Sequence, residues 1–201
     1  MNYTETAKSI RTNARKILET KKIEDILKNA GDLFYTGSYA LDLMTWNDID
    51  MQLVPKDGLC PIDILGDFLK YISKDPGFIE GKMIRFNGTY KPKMPRGVYL
   101  GIQLDSPEYG GRWKFDIWVL SKEDFKKNRD FIQEIQKKLD PCTRKLILEL
   151  KHEIMAGDER MPQMGSHFLY QAVLLNGIRK KEDLCQFYIS QGMDLSSKKG
   201  L

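Results

Sequence analysis

Residues 48–54, DIDMQLV, alternate polar and apolar side chains over their first six positions. Successive side chains of a strand point to opposite faces, so this period predicts a β-strand with Asp48, Asp50 and Gln52 on one face and Ile49, Met51 and Leu53 on the other. The apolar face has to be covered by a core, and the opposite face carries two carboxylates side by side. RWKFDIWVL, residues 112–120, repeats the device: Phe115, Ile117 and Val119 oppose Lys114, Asp116 and Trp118. Asp116 therefore belongs to the polar face of a later strand.

Around these strands the periodicity is mixed. TETAKSIRTNARKILETKKIEDILKNAG has Ile10, Ala14, Ile17 and Leu18, then Ile23, Ile26 and Leu27 at helical spacing, which predicts one or two helices ending near Gly31. DLFYTG reads as a short strand, and SYALDLM as a helical turn or two capped by Ser38. After Pro55, the apolar positions Ile62, Leu65, Phe68, Leu69 and Ile72 predict a helix. FIEGKMIRF and GVYLGIQLD are further strands, joined through NGTYKPKMPRG, and SPEYGG is a hairpin turn leading into RWKFDIWVL. From residue 121 the pattern is helical, opening on Ser121 and Asp124 as a capping-box variant. Later helices are expected at TRKLILELKHEIMA, SHFLYQAVLLNG and KKEDLCQFYISQG, with the loop GDERMPQMG between the first two. The fold class expected is α+β: a mixed β-sheet flanked by helices, followed by a C-terminal helical region.

Composition narrows the partners. A chain of 201 residues with 41% hydrophobic content can bury a sizeable core. Its 32 Lys and Arg stand against 28 Asp and Glu, a net charge of +4, far from the basic stripe of a dedicated nucleic-acid binder. Three dispersed cysteines, Cys60, Cys142 and Cys185, argue against a disulfide framework and read as reduced thiols. With only His152 and His167, a histidine-rich zinc site is not expected. The polar first twenty-two residues lack the apolar core of a signal peptide, and no apolar run is long enough to span a bilayer. A cytoplasmic location without membrane partners is the expectation.

Neighbouring strands lie about 4.8 Å apart, so Asp116 can join Asp48 and Asp50 around one ion-sized space. Three close carboxylates repel one another unless a cation neutralises them. Oxygen-only ligands suit Mg²⁺ or Mn²⁺, hard ions that also bind phosphate oxygens. This donor set serves phosphoryl or nucleotidyl transfer, where two ions hold the attacking and leaving oxygens. Gly37 and Ser38 complement it, because glycine permits close backbone approach and a serine at a helix start offers a hydroxyl and free N–H groups to phosphate.

Gly37-Ser38, nine residues, then Asp48-Ile49-Asp50, with Asp116 later in KFDIWV, resembles the signature of the DNA polymerase beta-type nucleotidyltransferase superfamily. The resemblance covers about residues 31–120 and is greatest to small bacterial aminoglycoside and lincosamide nucleotidyltransferase-like proteins. It implies a nucleotidyltransferase-like catalytic domain at residues 1–120, with residues 121–201 as a helical region forming part of the acceptor pocket. It also implies Mg²⁺- or Mn²⁺-dependent transfer of a nucleoside monophosphate from an NTP, ATP included, to a hydroxyl of a small, antibiotic-like acceptor, with release of pyrophosphate. Carried over by position, Gly37 and Ser38 contact the triphosphate, Asp48 and Asp50 bind both ions, and Asp116 completes the site and is a candidate base. The sixty-odd residues between Asp50 and Asp116 imply an insertion and leave Asp105 as another candidate third ligand.

Other residues have plainer readings. Asp42, Asp63 and Asp67 are expected on helix surfaces, as is His152, while Trp113, Trp118 and Tyr99 read as sheet packing before base stacking. Lys91, Lys93 and Arg96 form a basic loop that is expected to be solvated. Glu149 and Glu153 are distant candidates for activating an acceptor hydroxyl. Competing functions are nucleotidylation of protein or tRNA in the manner of toxin or antitoxin proteins, and a non-catalytic module that senses a nucleotide. A homodimer stays open.

Overall fold

The computed structural model describes residues 2–88, 94–155 and 166–192. Helix α1 (Tyr3–Thr20) starts at Asn2, whose side chain accepts a hydrogen bond from the Glu5 amide, and it buries Ala7, Ala14, Ile17 and Leu18 along one stripe. Lys22, at φ +52°, breaks the helical run and starts α2 (Ile23–Ala30) in a new direction, which settles the expected "one or two" as two. Lys21, at the same corner, pairs with Asp75 at 2.6 Å.

Strand β1 (Gly31–Thr36) runs into the short helix α3 (Gly37–Leu41) and then β2 (Asp48–Pro55). Helix α4 (Pro61–Ile72) leads to β3 (Phe78–Phe86) and β4 (Gly97–Ser106), and a 3-10 turn at Pro107–Tyr109 leads to β5 (Gly111–Leu120). The sixty-odd residues between Asp50 and Asp116 are thus folded mainly as α4, β3 and β4. The five strands form one mixed sheet in the order β1-β2-β5-β4-β3, antiparallel except for the β2–β5 pair. The chain therefore brings β5 beside β2, far away in sequence, and leaves β3 at an edge.

One face of the sheet is the main core. Ile49, Met51 and Leu53 of β2, Phe115, Ile117 and Val119 of β5, and Val98, Leu100, Ile102 and Leu104 of β4 pack against α1, α2 and α4. Full burial of each such side chain contributes about 1.5–3 kcal/mol before ordering costs, and this anchors the alternation that aims the aspartates the other way. Trp113 lies in this core, fully buried, with its indole N–H donating to the Tyr109 carbonyl at 3.1 Å.

The C-terminal elements are α5 (Lys122–Lys138), α6 (Pro141–Met155), α7 (Ser166–Tyr170), the π-helical Gln171–Leu175 and α8 (Lys181–Ser190); α5 packs on β1 and β2, while α6 meets α1 and α7 meets α3. Ser121 caps α5 by accepting from the Asp124 amide at 3.1 Å. Ile135, Ile147, Leu148, Tyr170 and Leu184 of these helices share a core with Ala7 of α1 and with Leu41 and Leu43 beside α3. The loop GDERMPQMG lies outside the described residues, and so do Lys91 and Lys93. No helix among the described residues is long and apolar enough to cross a membrane.

Candidate active site

The parallel register places Asp50 opposite Asp116 and Asp48 opposite Lys114. Asn47 fixes the start of this pairing: its side-chain amide donates to the carbonyls of Gly110 and Arg112, and its own carbonyl accepts from the Lys114 amide. One carboxylate oxygen from each of Asp48, Asp50 and Asp116 lies within 4.8 Å of the other two, and all three residues are half-buried. Ligands on opposite sides of one Mg²⁺, at about 2.1 Å each, span about 4.2 Å, so small side-chain rotations suffice to make the set a ligand shell. Asp105 lies near the end of β4 opposite Arg112, exposed, and it is Asp116 that stands beside Asp48 and Asp50.

The carboxylates are held at an electrostatic cost. Burial, then the charges of Asp48 and Asp116, push Asp50 up to about 8, against a partial opposing pull from Lys114 and Lys151. Lys114 stands 2.5 Å from Oδ2 of Asp116 and 3.9 Å from Oδ1 of Asp48. Burial lowers its pKa, but Asp48 and Asp116 outweigh this and hold the ammonium above its usual value. The Tyr99 hydroxyl donates to Oδ1 of Asp116 at 2.6 Å, and burial together with that carboxylate drives the phenol well above its ordinary range. Tyr99 reaches Asp116 across Gly101, Asp116's partner in the β4–β5 register, where a Cβ would lie 2.3 Å from the Tyr99 oxygen.

Gly37 and Ser38 sit directly above the acids. Gly37 has φ +59°, a backbone region that L side chains rarely adopt, and a Cβ there would lie 2.1 Å from Oδ2 of Asp50. Ser38 is buried inside the first turn of α3; the cap position is Thr36, so the expected capping role of Ser38 is corrected. The α3 turn is clamped from both sides. Arg11 of α1 donates to the Tyr39 carbonyl at 2.9 Å, Arg144 of α6 to the carbonyls of Leu41 and Asp42 at 2.9 and 2.6 Å, and the buried Lys151 to that of Leu43 at 2.8 Å. Asp42, expected at a helix surface, is instead the left-handed end of α3 and pairs with both arginines.

A cavity of about 410 Å³ opens over the triad, with Gly37, Ser38 and Gln52 beside the acids and Phe131, His167 and Tyr170 opposite. His167 stacks on Phe131 with ring centroids 4.4 Å apart, and its burial lowers its pKa. Gln52 is nine-tenths buried on the Asp50 face, and its Oε1 has no hydrogen-bond partner among the described residues. Neither Glu149 nor Glu153 lines this cavity; Glu149 borders a separate hollow near the N-terminus. Trp118 packs against Phe86 and Tyr99, and His152 against Tyr3, as packing roles imply.

Three residues around the triad escape a reading of motifs. Lys114 had a signal, since it shares Asp116's face at a spacing of two. Tyr99 needs the β4–β5 register, and Lys151 needs the packing of α6 on the α3 turn. Neither is local in sequence.

No protein family and no curated protein matches the sequence. Solved structures do match in three dimensions. The Cid1 poly(U) polymerase with MgGTP bound has 17% identity and a TM-score of 0.56, over 82% of this chain and 49% of that one. The fold is that of the nucleotidyltransferases. A second Cid1 structure, described for its RNA terminal uridylyl transferase activity, has 18% identity and a TM-score of 0.57 over 84% and 47%. The STING-associated CdnE c-di-GMP synthase of Capnocytophaga granulosa has 14% identity and a TM-score of 0.50 over 91% and 66%. The chain spans about half the length of the Cid1 chains it matches.

Proposed function

We propose that this chain is a metal-dependent nucleotidyltransferase that moves a nucleoside monophosphate from an NTP to a hydroxyl of a small-molecule acceptor and releases pyrophosphate. The observation that carries the reading is the Asp50–Asp116 pairing beneath the Gly37 turn: carboxylates from two strands converge with Asp48 at the floor of a cavity. Asp48 and Asp50 would hold two Mg²⁺ or Mn²⁺ ions and Asp116 one of them; the oxygen-only donors and the raised Asp50 suit a hard cation. Such ions supply charge neutralisation at the attacking and leaving oxygens.

The chain's own groups then have separate tasks. Gly37 and Ser38 present backbone and hydroxyl to the triphosphate, and Asn128, Phe131 and His167, contributed by residues 121–201, wall the cavity where an acceptor or base would lie. The acceptor oxygen attacks the α-phosphorus, the bond from that phosphorus to the oxygen bridging toward the β-phosphate breaks, and pyrophosphate leaves. The hydroxyl proton passes to Asp116, oriented for this by Tyr99.

A second acceptor class is favoured by the likeness to Cid1 and CdnE: an RNA end or another nucleotide. The balanced charge of the chain favours the small acceptor. The test follows pyrophosphate release with each of the four NTPs, Mg²⁺ or Mn²⁺, and a panel of aminoglycosides, lincosamides, short RNAs, tRNA and nucleotides. Turnover with a small hydroxylated acceptor, absent in Asp48→Asn and Asp50→Asn, is expected. Turnover only with RNA or nucleotides transfers the reading to the second class, and no turnover above the variants overturns the enzyme.

A further inference from the structure

Both oxygens of Asp116 are engaged, but by different kinds of donor. Oδ1 accepts from the neutral Tyr99 hydroxyl at 2.6 Å, whereas Oδ2 faces the Lys114 ammonium at 2.5 Å. The same ammonium is 3.9 Å from Oδ1 of Asp48. Lys114 can bridge the two because it faces Asp48 in the parallel register and precedes Asp116 by two residues, so that all three share one face of the sheet. It also lines the cavity, with 47% of its side chain exposed, so the ammonium has somewhere to go. A monovalent cation thus lies against two of the three carboxylates that a divalent ion would use.

We propose that Lys114 is the built-in counter-ion of this site: its ammonium neutralises Asp48 and Asp116 while no divalent ion is bound, and it must leave Oδ2 of Asp116 before that carboxylate can become a ligand. The inference rests on the metal-dependent reading above. Metal binding is then an exchange of one cation for another, which weakens it in the nucleotide-free protein. The released ammonium stays in the cavity, where an anionic triphosphate is the partner that would replace Asp116. Tyr99 poses no such conflict, since a neutral donor on the other oxygen orients the carboxylate without competing for its charge.

The probe is Mn²⁺ alone, titrated without nucleotide and followed by electron paramagnetic resonance and calorimetry, on wild type, Lys114→Gln, Lys114→Met, Lys114→Arg and Asp50→Asn. Removing the charge should tighten Mn²⁺ binding by about tenfold or more, equivalent to about 1.4 kcal/mol. Lys114→Arg, which keeps the charge, should stay near wild type, and Asp50→Asn should lose binding. Unchanged or weaker binding in both Lys114→Gln and Lys114→Met, with Asp50→Asn still deficient, overturns the counter-ion role and leaves the metal site standing. If neither wild type nor any Lys114 variant binds Mn²⁺, the metal reading fails and this inference fails with it. Near-ultraviolet circular dichroism of each variant identifies a misfolded one, and the two neutral replacements keep the test independent of either side chain alone.

Discussion

A Cβ on residue 37 would lie 2.1 Å from Oδ2 of Asp50, so the glycine of the Gly-Ser pair and the central aspartate occupy adjoining space. Gly37→Ala meets two obstacles, the positive φ and the carboxylate, and should lower stability by about 1–3 kcal/mol in urea denaturation. Part of this cost belongs to the contact. In an Asp50→Ala background the same change should cost less, with a coupling of about 0.5–3 kcal/mol from the double-mutant cycle. Equal costs in both backgrounds would mean that only the backbone conformation demands glycine.

Asp50 makes the apo protein sensitive to pH in an unusual direction. Its folded pKa, about 8, is above the ordinary carboxylate value of 3.8, so between these pH values the folded state holds a proton that the unfolded state has lost. This contribution to stability is present at low pH and is lost as pH rises through the window toward 8. Asp50→Asn should flatten that slope and stabilise the metal-free protein at pH 7–8 by about 1–3 kcal/mol, the usual cost of an ill-satisfied buried polar group. Excess Mg²⁺ or Mn²⁺ should remove the wild-type slope, because a cation favours the ionised form. Thermal melts of both proteins from pH 5 to 9, with and without metal, check it; a wild-type slope of the opposite sign would refute it.

What could be read from the sequence follows from the range of the interactions concerned. Alternation over six residues placed Asp48, Asp50 and Gln52 on one face because a strand's geometry is local, and the same rule separated Asp116 from Phe115 and Ile117. Pairing between distant strands is not local. That β5 lies beside β2, and that Tyr99 meets Asp116 over Gly101, depends on the packing of a whole sheet against α1, α2 and α4. Ser38 is not a cap because α3 already starts at Gly37, with Thr36 in the cap position, two residues earlier than the serine alone suggests. The placement of Asp42 required α1 and α6, which approach from opposite ends of the chain.

Tyr99 and Gly101 act on Asp116 as a unit. Tyr99→Phe removes one hydrogen bond to a charged acceptor, a loss of about 1.5–3 kcal/mol when the acceptor is not rescued by water. With Asp116 as the ligand proposed above, the change should also weaken Mn²⁺ binding by about 10–100-fold, the range found for supporting partners of metal ligands. Gly101→Ala leaves the hydroxyl in place but drives a methyl group into it, and should reproduce the same loss in Mn²⁺ binding. A Tyr99→Phe protein that binds Mn²⁺ as tightly as wild type would show that Asp116 is positioned by the sheet alone.

The helical tail should hold the Gly-Ser turn through α6. Arg144 and Lys151 satisfy the carbonyls of Leu41, Asp42 and Leu43, and Lys151 is fully buried with its ammonium 4.5 Å from the centre of the Trp46 ring. Lys151→Met keeps most of the volume but leaves the Leu43 carbonyl without this donor, at a cost of about 1–3 kcal/mol. Arg144→Ala removes two hydrogen bonds and the ion pair to Asp42, at a comparable cost. Both lesions converge on α3, so hydrogen exchange should speed up at residues 37–43 in either variant while the β4–β5 amides stay protected. Acceleration spread evenly over the sheet would mean that these cations serve the general core, and the turn over Asp50 would then owe its position to β1 and β2.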